Sequence, residues 1–256
     1  MSKSIVVVSD IQYPYNHKKQ TNAVIKFIGD YQPDEVVFIG DQLDYPQPSR
    51  WNKDSRGEFE GSVFKDSKNF CQNVLKPLRE VFDGQVGMHR GNHDRRPQDY
   101  LNKYAPALSE GSDAFSMKRL LKLDEYKINE LPTVYDFAPG WATTHGDAKG
   151  ISLSRYAGGT AINATRKFNK SIIMGHTHRL GMVQEASGQF ATRKLIGVEV
   201  GHLMNIREAK YLGDAGLGNW QSGFGIVHVT DNGTVHPQLA RIERGTFVVD
   251  GVSYSI

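Results

Sequence analysis

Five short apolar runs in the first 178 residues each stop on a side chain that carries chemistry. Ile5–Ser9 runs into Asp10, and Glu35–Ile39 into Gly40-Asp41-Gln42-Leu43-Asp44. Gln85–His89 runs into Arg90-Gly91-Asn92-His93-Asp94, and Trp141–Thr144 into His145-Gly146-Asp147. Ser171–Met174 runs into Gly175-His176-Thr177-His178. Runs this short, rich in β-branched residues and bounded by glycine or polar residues, predict buried strands.

Longer amphipathic stretches separate these strands. Lys18–Tyr31 places Ala23, Val24, Phe27 and Ile28 on one helical face, and Phe64–Phe82, Pro97–Tyr104 and Leu153–Phe168 also read as helices. The alternation predicts a layered α/β domain with crossover connections. After residue 180 the pattern changes: Met182–Glu185, Thr192–Val200, Phe224–Thr230, Pro237–Glu243 and Thr246–Val249 read as strands, with no helix among them. We expect that tail to form a second, mostly antiparallel sheet packed on the first. The polar stretch 46–61 and the segment 110–131 carry no clear periodicity. With no internal repeat or linker-like tract, residues 1–256 are expected to form a single domain.

In open α/β sheets, ligands bind outside the carboxyl ends of the strands. The predicted strands therefore deliver aspartates, an asparagine and several histidines to one crevice. Carboxylate, amide oxygen and imidazole together suit first-row divalent ions. There are more such groups than one ion needs, and two adjacent ions form a clamp for displacement at phosphorus.

Bulk properties narrow the setting. A formal charge of +3 with pI near 8.8 is mildly basic, short of the strong basic bias of a dedicated nucleic-acid binder. Cys71 is the only cysteine, which excludes an intrachain disulfide and fits a reducing compartment. The N-terminus lacks a signal-peptide plan, and no stretch approaches the length of a membrane span. A cytoplasmic protein without a membrane partner is expected; the oligomeric state is open.

The ordered set "DIQ", "GDQLD", "GNHD", "THGD" and "GHTH", covering residues 10–178, closely resembles the calcineurin-like metallophosphoesterase superfamily. The resemblance implies an α/β fold, a four-layer α/β/β/α sandwich with two packed mixed β-sheets. It also implies two divalent metal ions, Mn²⁺ favoured, with Mg²⁺, Ni²⁺, Fe or Zn²⁺ as alternatives. Carried over by position, Asp10, Asp41 and His178 would hold the first ion. Asp41, Asn92, His145 and His176 would hold the second, with Asp41 bridging. A metal-bridging hydroxide would attack phosphorus while His93, oriented by Asp44, protonates the leaving oxygen.

The chain departs from that pattern at Gln12, where most members carry histidine. A glutamine carbonyl makes the site harder, favouring Mn²⁺ or Mg²⁺ over Zn²⁺. We expect weak ligation by Gln12; water in its place, or His17 from the next loop, are the other readings. The expected activity is phosphodiester hydrolysis on a nucleotide or nucleic acid. A DNA or RNA nuclease and a phosphomonoesterase are the alternatives, and a non-catalytic scaffold is disfavoured by the number of ligands kept. Arg90, Arg95, Arg179 and His202 are candidate substrate contacts, with Arg50, Lys53, Arg56 and Arg96 nearby. Trp51, Tyr13 and Tyr15 are placed to stack a base or pack the rim, and Trp220 to close the pocket floor. The compact chain resembles bacterial or bacteriophage members.

Overall fold

The computed structural model describes residues 2–209 and 218–256. Four parallel strands begin the fold: β1 (Lys3–Val8), β2 (Glu35–Phe38), β3 (Gln85–Met88) and the two-residue β4 (Asn129–Glu130). Strands β5 (Tyr135–Ala138), β6 (Trp141–Thr144), β7 (Ser171–Met174), β8 (Leu180–Ser187) and β9 (Arg193–Val200) form a second sheet in the order β5-β6-β7-β9-β8. Strands β10 (Gly223–Val229) and β11 (Val235–Arg241) return to the first sheet, which runs β11-β10-β1-β2-β3-β4. A closing hairpin, β12 (Thr246–Val249) with β13 (Val252–Ser255), stands apart.

The helices are α1 (Lys18–Tyr31), α2 (Arg56–Phe59), α3 (Val63–Phe70), α4 (Lys76–Val81), α5 (Arg96–Tyr104), α6 (Met117–Leu120) and α7 (Gly159–Phe168). None is long and apolar enough to cross a membrane.

Strand alternation explains the layers, because successive side chains face opposite sides of a sheet. Val6, Val8, Val36 and Phe38 point outward and meet Val24, Phe27 and Ile28 of α1 together with Phe70, Val74 and Leu78. Ile5, Val7, Val37 and Ile39 point inward and meet Ile173, Val198 and Val200 of the second sheet. On that sheet's far side, Ala142, Ile172 and Met174 pack against Ala161 and Ala164 of α7. Three apolar seams thus join four layers in the order α/β/β/α, with both large sheets mixed.

Several expectations are corrected. The tail does not build a sheet of its own: β8 and β9 extend the second sheet, while β10 pairs antiparallel with β1 in the first. Phe64–Phe82 is helical as expected, over 63–81, but it widens to a π-turn, Cys71–Leu75, just before Pro77 in the first turn of α4. Proline lacks the N–H that the helical ladder requires and crowds the preceding turn. The helix expected from Leu153 begins only at Gly159, because Gly158 takes a left-handed φ of 81°. The unassigned stretches hold single-turn α2 and α6 and a 3₁₀ run over Pro106–Phe115.

Candidate active site

The site lies at the carboxyl ends of β1, β2, β3, β6 and β7, where all five strand-end motifs converge. Asp10, Gln12, Asp41, His176 and His178 are all left-handed, with φ of 50°, 55°, 53°, 66° and 58°. Non-glycine residues adopt this region sparingly, at a cost on the order of 1–3 kcal/mol each, and such residues cluster at functional sites. The two histidines of Gly-His-Thr-His therefore do not alternate as on a strand. His176 turns towards His145, with ring centroids 5.1 Å apart, and His178 towards Asp10.

Two glycines make room for the carboxylates. A Cβ on Gly91 would strike the Asp41 backbone and carboxylate, and one on Gly175 would strike Ser9 and Asp10. Asp94 ties two motifs together by accepting from Leu43 N at 3.1 Å and Gly91 N at 2.9 Å. Burial first, and the nearby Asp41 charge second, push its carboxyl up to about 6.

Asp10 and Asp41 are buried at the centre. Asp10 Oδ2 accepts from Ser9 Oγ and from His176 N, the latter at 2.9 Å. Its Oδ1 lies 3.1 Å from His178 Nε2. Asp41 Oδ1 accepts from His93 N at 2.8 Å, and Oδ2 sits 3.3 Å from His145 Nε2. Burial opposes both charges but is outweighed. His178 holds Asp10 below the usual carboxylate range, and His145 and His93 hold Asp41 well below it.

His145 Nδ1 donates to the Ile39 carbonyl at 2.8 Å, so Nε2 carries the lone pair of the neutral ring. That nitrogen is 3.1 Å from the Asn92 amide oxygen. Two acceptors and a carboxylate meeting at one point require positive charge. Without another cation that charge is a proton: burial disfavours it, yet Asp41 raises His145 to about 10. Ligand atoms of Asp41, His145 and His176 lie within 4.8 Å of one another.

Among the described residues, Gln12 Oε1 is buried without a hydrogen-bond partner, and Asp10 Oδ1 faces only His178 Nε2, without hydrogen-bond geometry. Buried polar atoms are normally paired, so these two oxygens fit a divalent cation. The Gln12 side chain does reach the centre, its Nε2 donating to Asp41 Oδ2 at 3.2 Å. His17 does not; it caps α1 by accepting from Gln20 N.

His93 Nδ1 lies 3.0 Å from Asp44 Oδ1 and 3.2 Å from the Asp44 carbonyl. Its Nε2 is 3.8 Å from Asp41 Oδ2 and 3.0 Å from Arg96 Nη2. Burial resists protonation of His93, but Asp41 and Asp44 outweigh it, against the opposition of Arg96, and the ring is raised. Arg96 also donates to the Asp44 carbonyl at 2.6 Å. Its place at the His93 edge was legible only as a nearby cation, because helix α5 is what turns it inward.

The remaining expected contacts divide. Arg90 and Arg95 line a cavity of about 180 Å³ beside His145 and Asp147, with Arg95 paired to Asp147. Arg179 donates to the Ser154 carbonyl, tethering the segment before α7. His202 is buried behind His178, its Nδ1 accepting from Met204 N. Trp220 covers His178, ring centroids 4.1 Å apart. Tyr13 is core, packed edge-on against Phe70.

A two-sheet sandwich with carboxylates and imidazoles gathered at its strand ends defines a protein of the metal-dependent phosphoesterase class. The family model for calcineurin-like phosphoesterases matches residues 3–180, and the chain belongs to that family. It is 50% identical over 252 residues to the Gene 54 protein of Mycobacterium phage D29, and 48% identical over 252 residues to that of Mycobacterium phage L5. In each case 98% of both chains is covered. Among solved structures it is similar to Vacuolar Protein Sorting 29 of Cryptosporidium parvum. The TM-score is 0.47 at 11% identity, covering 100% of this chain and 99% of that one. It is also similar to a Streptococcus pneumoniae TIGR4 protein described as a predicted phosphoesterase, with TM-score 0.39 and 15% identity over 100% and 98% of the two chains.

Proposed function

We propose that the chain is a two-metal phosphodiesterase acting on nucleotide or nucleic-acid esters, working as one domain over residues 1–256. The observation that carries this reading is the meeting of Asp41 Oδ2, His145 Nε2 and Asn92 Oδ1 at one buried point, beside Asp10 Oδ1, which faces His178, and the buried Gln12 Oε1. In this reading Asp10, Gln12, Asp41 and His178 hold one divalent ion, and Asp41, Asn92, His145 and His176 a second. The oxygen-rich set favours Mn²⁺. Bound there, such ions supply an acidified water and neutralise charge on the phosphoryl oxygens.

The chain's own residues do the rest. Water's oxygen forms the new bond to phosphorus and its proton passes to solvent. The ester P–O bond breaks, and the leaving oxygen takes a proton from His93, which regains one from solvent. Asp44 holds the other ring nitrogen, which fixes the orientation of the imidazole and supports its charged form. Arg96 stands at the same edge of His93, where it can contact a phosphoryl or leaving-group oxygen. The hydroxyl product and the phosphomonoester product then separate.

The test is hydrolysis of bis-p-nitrophenyl phosphate against p-nitrophenyl phosphate with Mn²⁺, Mg²⁺, Ni²⁺ and Zn²⁺ in turn. Faster turnover of the diester with Mn²⁺ is expected. No hydrolysis of either ester with any ion would overturn the enzymatic reading, and a preference for the monoester would overturn the diesterase one.

A further inference from the structure

A cavity of about 480 Å³ opens from the candidate active site, sharing Asn92 and His93 with it and running out between Trp51 and Tyr104. Its lining holds four cationic side chains, Arg50, Arg95, Arg96 and Lys103, against one carboxylate, Asp99. The cations differ in their engagement. Arg95 and Arg96 are turned inward on Asp147 and Asp44. Among the described residues, Arg50 and Lys103 have ring contacts and no ion pair: the Arg50 guanidinium lies 4.6 Å from the Trp51 ring centre, and Lys103 Nζ 4.9 Å from that of Tyr104.

Both rings reach the surface, Tyr104 the less of the two at 40% exposed. Trp51 is 73% exposed, an unusual state for an indole, with the Arg50 guanidinium over its ring. Tyr104 stacks at a tilt on Tyr100, 4.8 Å away, and Lys53 approaches it at 4.9 Å. Aromatic rings, each with a cation beside it, in one groove match one ligand chemistry well. Unpaired bases stack on the rings while the phosphates between them meet the cations. A duplex hides its base faces and offers the rings nothing to stack on. An acidic peptide would use the cations but leave the rings bare.

We infer that this groove is the track for a single-stranded polynucleotide, with Trp51 and Tyr104 as stacking platforms and Arg50 and Lys103 as phosphate contacts. It delivers one phosphodiester to His93. The inference rests on the phosphodiesterase reading for what happens there, but the binding itself does not need turnover.

The experiment is fluorescence anisotropy of fluorescein-labelled dT12 with the full chain, in EDTA and again with Mn²⁺ using the hydrolysis-resistant phosphorothioate. Trp51→Ala and Tyr104→Ala are each expected to weaken binding by roughly 5- to 100-fold. Trp51→Phe keeps a ring and should restore most of the loss. The double variant Arg50→Ala/Lys103→Ala should flatten the log–log salt dependence by about 1.4. Lys170→Ala, whose cation is paired with Asp136, should leave binding unchanged. Circular dichroism melts identify any variant that fails to fold, and Lys103→Glu then serves as the independent groove variant.

Wild-type affinity in both aromatic variants would overturn the inference. So would tighter binding of a dT12·dA12 duplex, or competition by dTMP as effective per molecule as unlabelled dT12. Binding of dT12 without hydrolysis of any p-nitrophenyl ester would sink the enzymatic reading and leave the groove. Ester hydrolysis without dT12 binding would do the reverse.

Discussion

His145 Nε2 stands 3.3 Å from Asp41 Oδ2 while its Nδ1 is already committed to the Ile39 carbonyl. The ring can therefore present only a lone pair or an extra proton to the carboxylate. The centre is built to hold positive charge, and a metal ion or a proton can supply it.

Divalent ions should stabilise the chain. With Mn²⁺ at about a hundredfold over its Kd, folding gains about 2.7 kcal/mol, which for a chain of this size is a rise of roughly 5–10 °C in Tm. Asp41→Ala should abolish that rise and the hydrolytic activity together. Differential scanning fluorimetry with and without EDTA reads both proteins, and an undiminished Mn²⁺ shift in Asp41→Ala would remove it from the ligand set.

Gln12→His should tighten metal binding and move preference towards Zn²⁺, since imidazole nitrogen replaces an amide oxygen. Isothermal titration with Mn²⁺ and Zn²⁺ measures the change. Unaltered affinity for both ions would mean that Gln12 serves only as a donor to Asp41.

His93→Ala should keep the metal-dependent Tm shift and lose turnover. The loss should be about 10²- to 10⁴-fold for an ester with a poor leaving group, and much smaller for p-nitrophenolate, which needs no proton. Asp44→Asn should show the same leaving-group pattern more weakly. Equal losses on good and poor leaving groups would argue against proton donation by His93.

Acid should weaken the fold through two neutral histidines. Burial pushes His89 down to about 4 and His202 to about 3, against about 6.5 when unfolded. Below 6.5 the unfolded chain binds protons that the folded chain refuses. Each group therefore contributes stability that is complete above pH 6.5 and lost as pH falls towards its folded value. The slope is about 1.4 kcal/mol per pH unit per histidine. Urea unfolding at pH 7, 6 and 5 measures it, and a flatter slope in His89→Gln assigns the share of that residue. No change in slope would mean that His89 protonates in the folded state.

The strand ends were legible because they are local: a β-branched run followed by glycine and a carboxylate or imidazole carries its meaning within a few residues. What failed was long-range. The Gly158 turn that starts α7 late is fixed by Glu199, whose carboxylate accepts from the backbone of Gly158 and Thr160 some forty positions away. Nothing around residue 158 announces that partner. Likewise, β10 reads simply as a strand, and only its long-range pairing with β1 and β11, with both faces buried, decides which sheet receives it. The π-turn before Pro77 was not read from the sequence, although the proline's missing N–H accounts for it, and the helical pattern continues through it. Gln12 was readable as a departure from the pattern, but its double engagement, donor to Asp41 with a spare acceptor, depends on the left-handed turn that aims it.

That backbone has a consequence for anyone altering the protein. Glycine at position 10, 12, 41, 176 or 178 would relax a left-handed residue and remove a polar group from the buried centre at once. In the metal-free chain, backbone relaxation and chemistry are therefore opposed at the same five positions. A screen for heat resistance run in EDTA should return inactive variants that a screen run in Mn²⁺ does not.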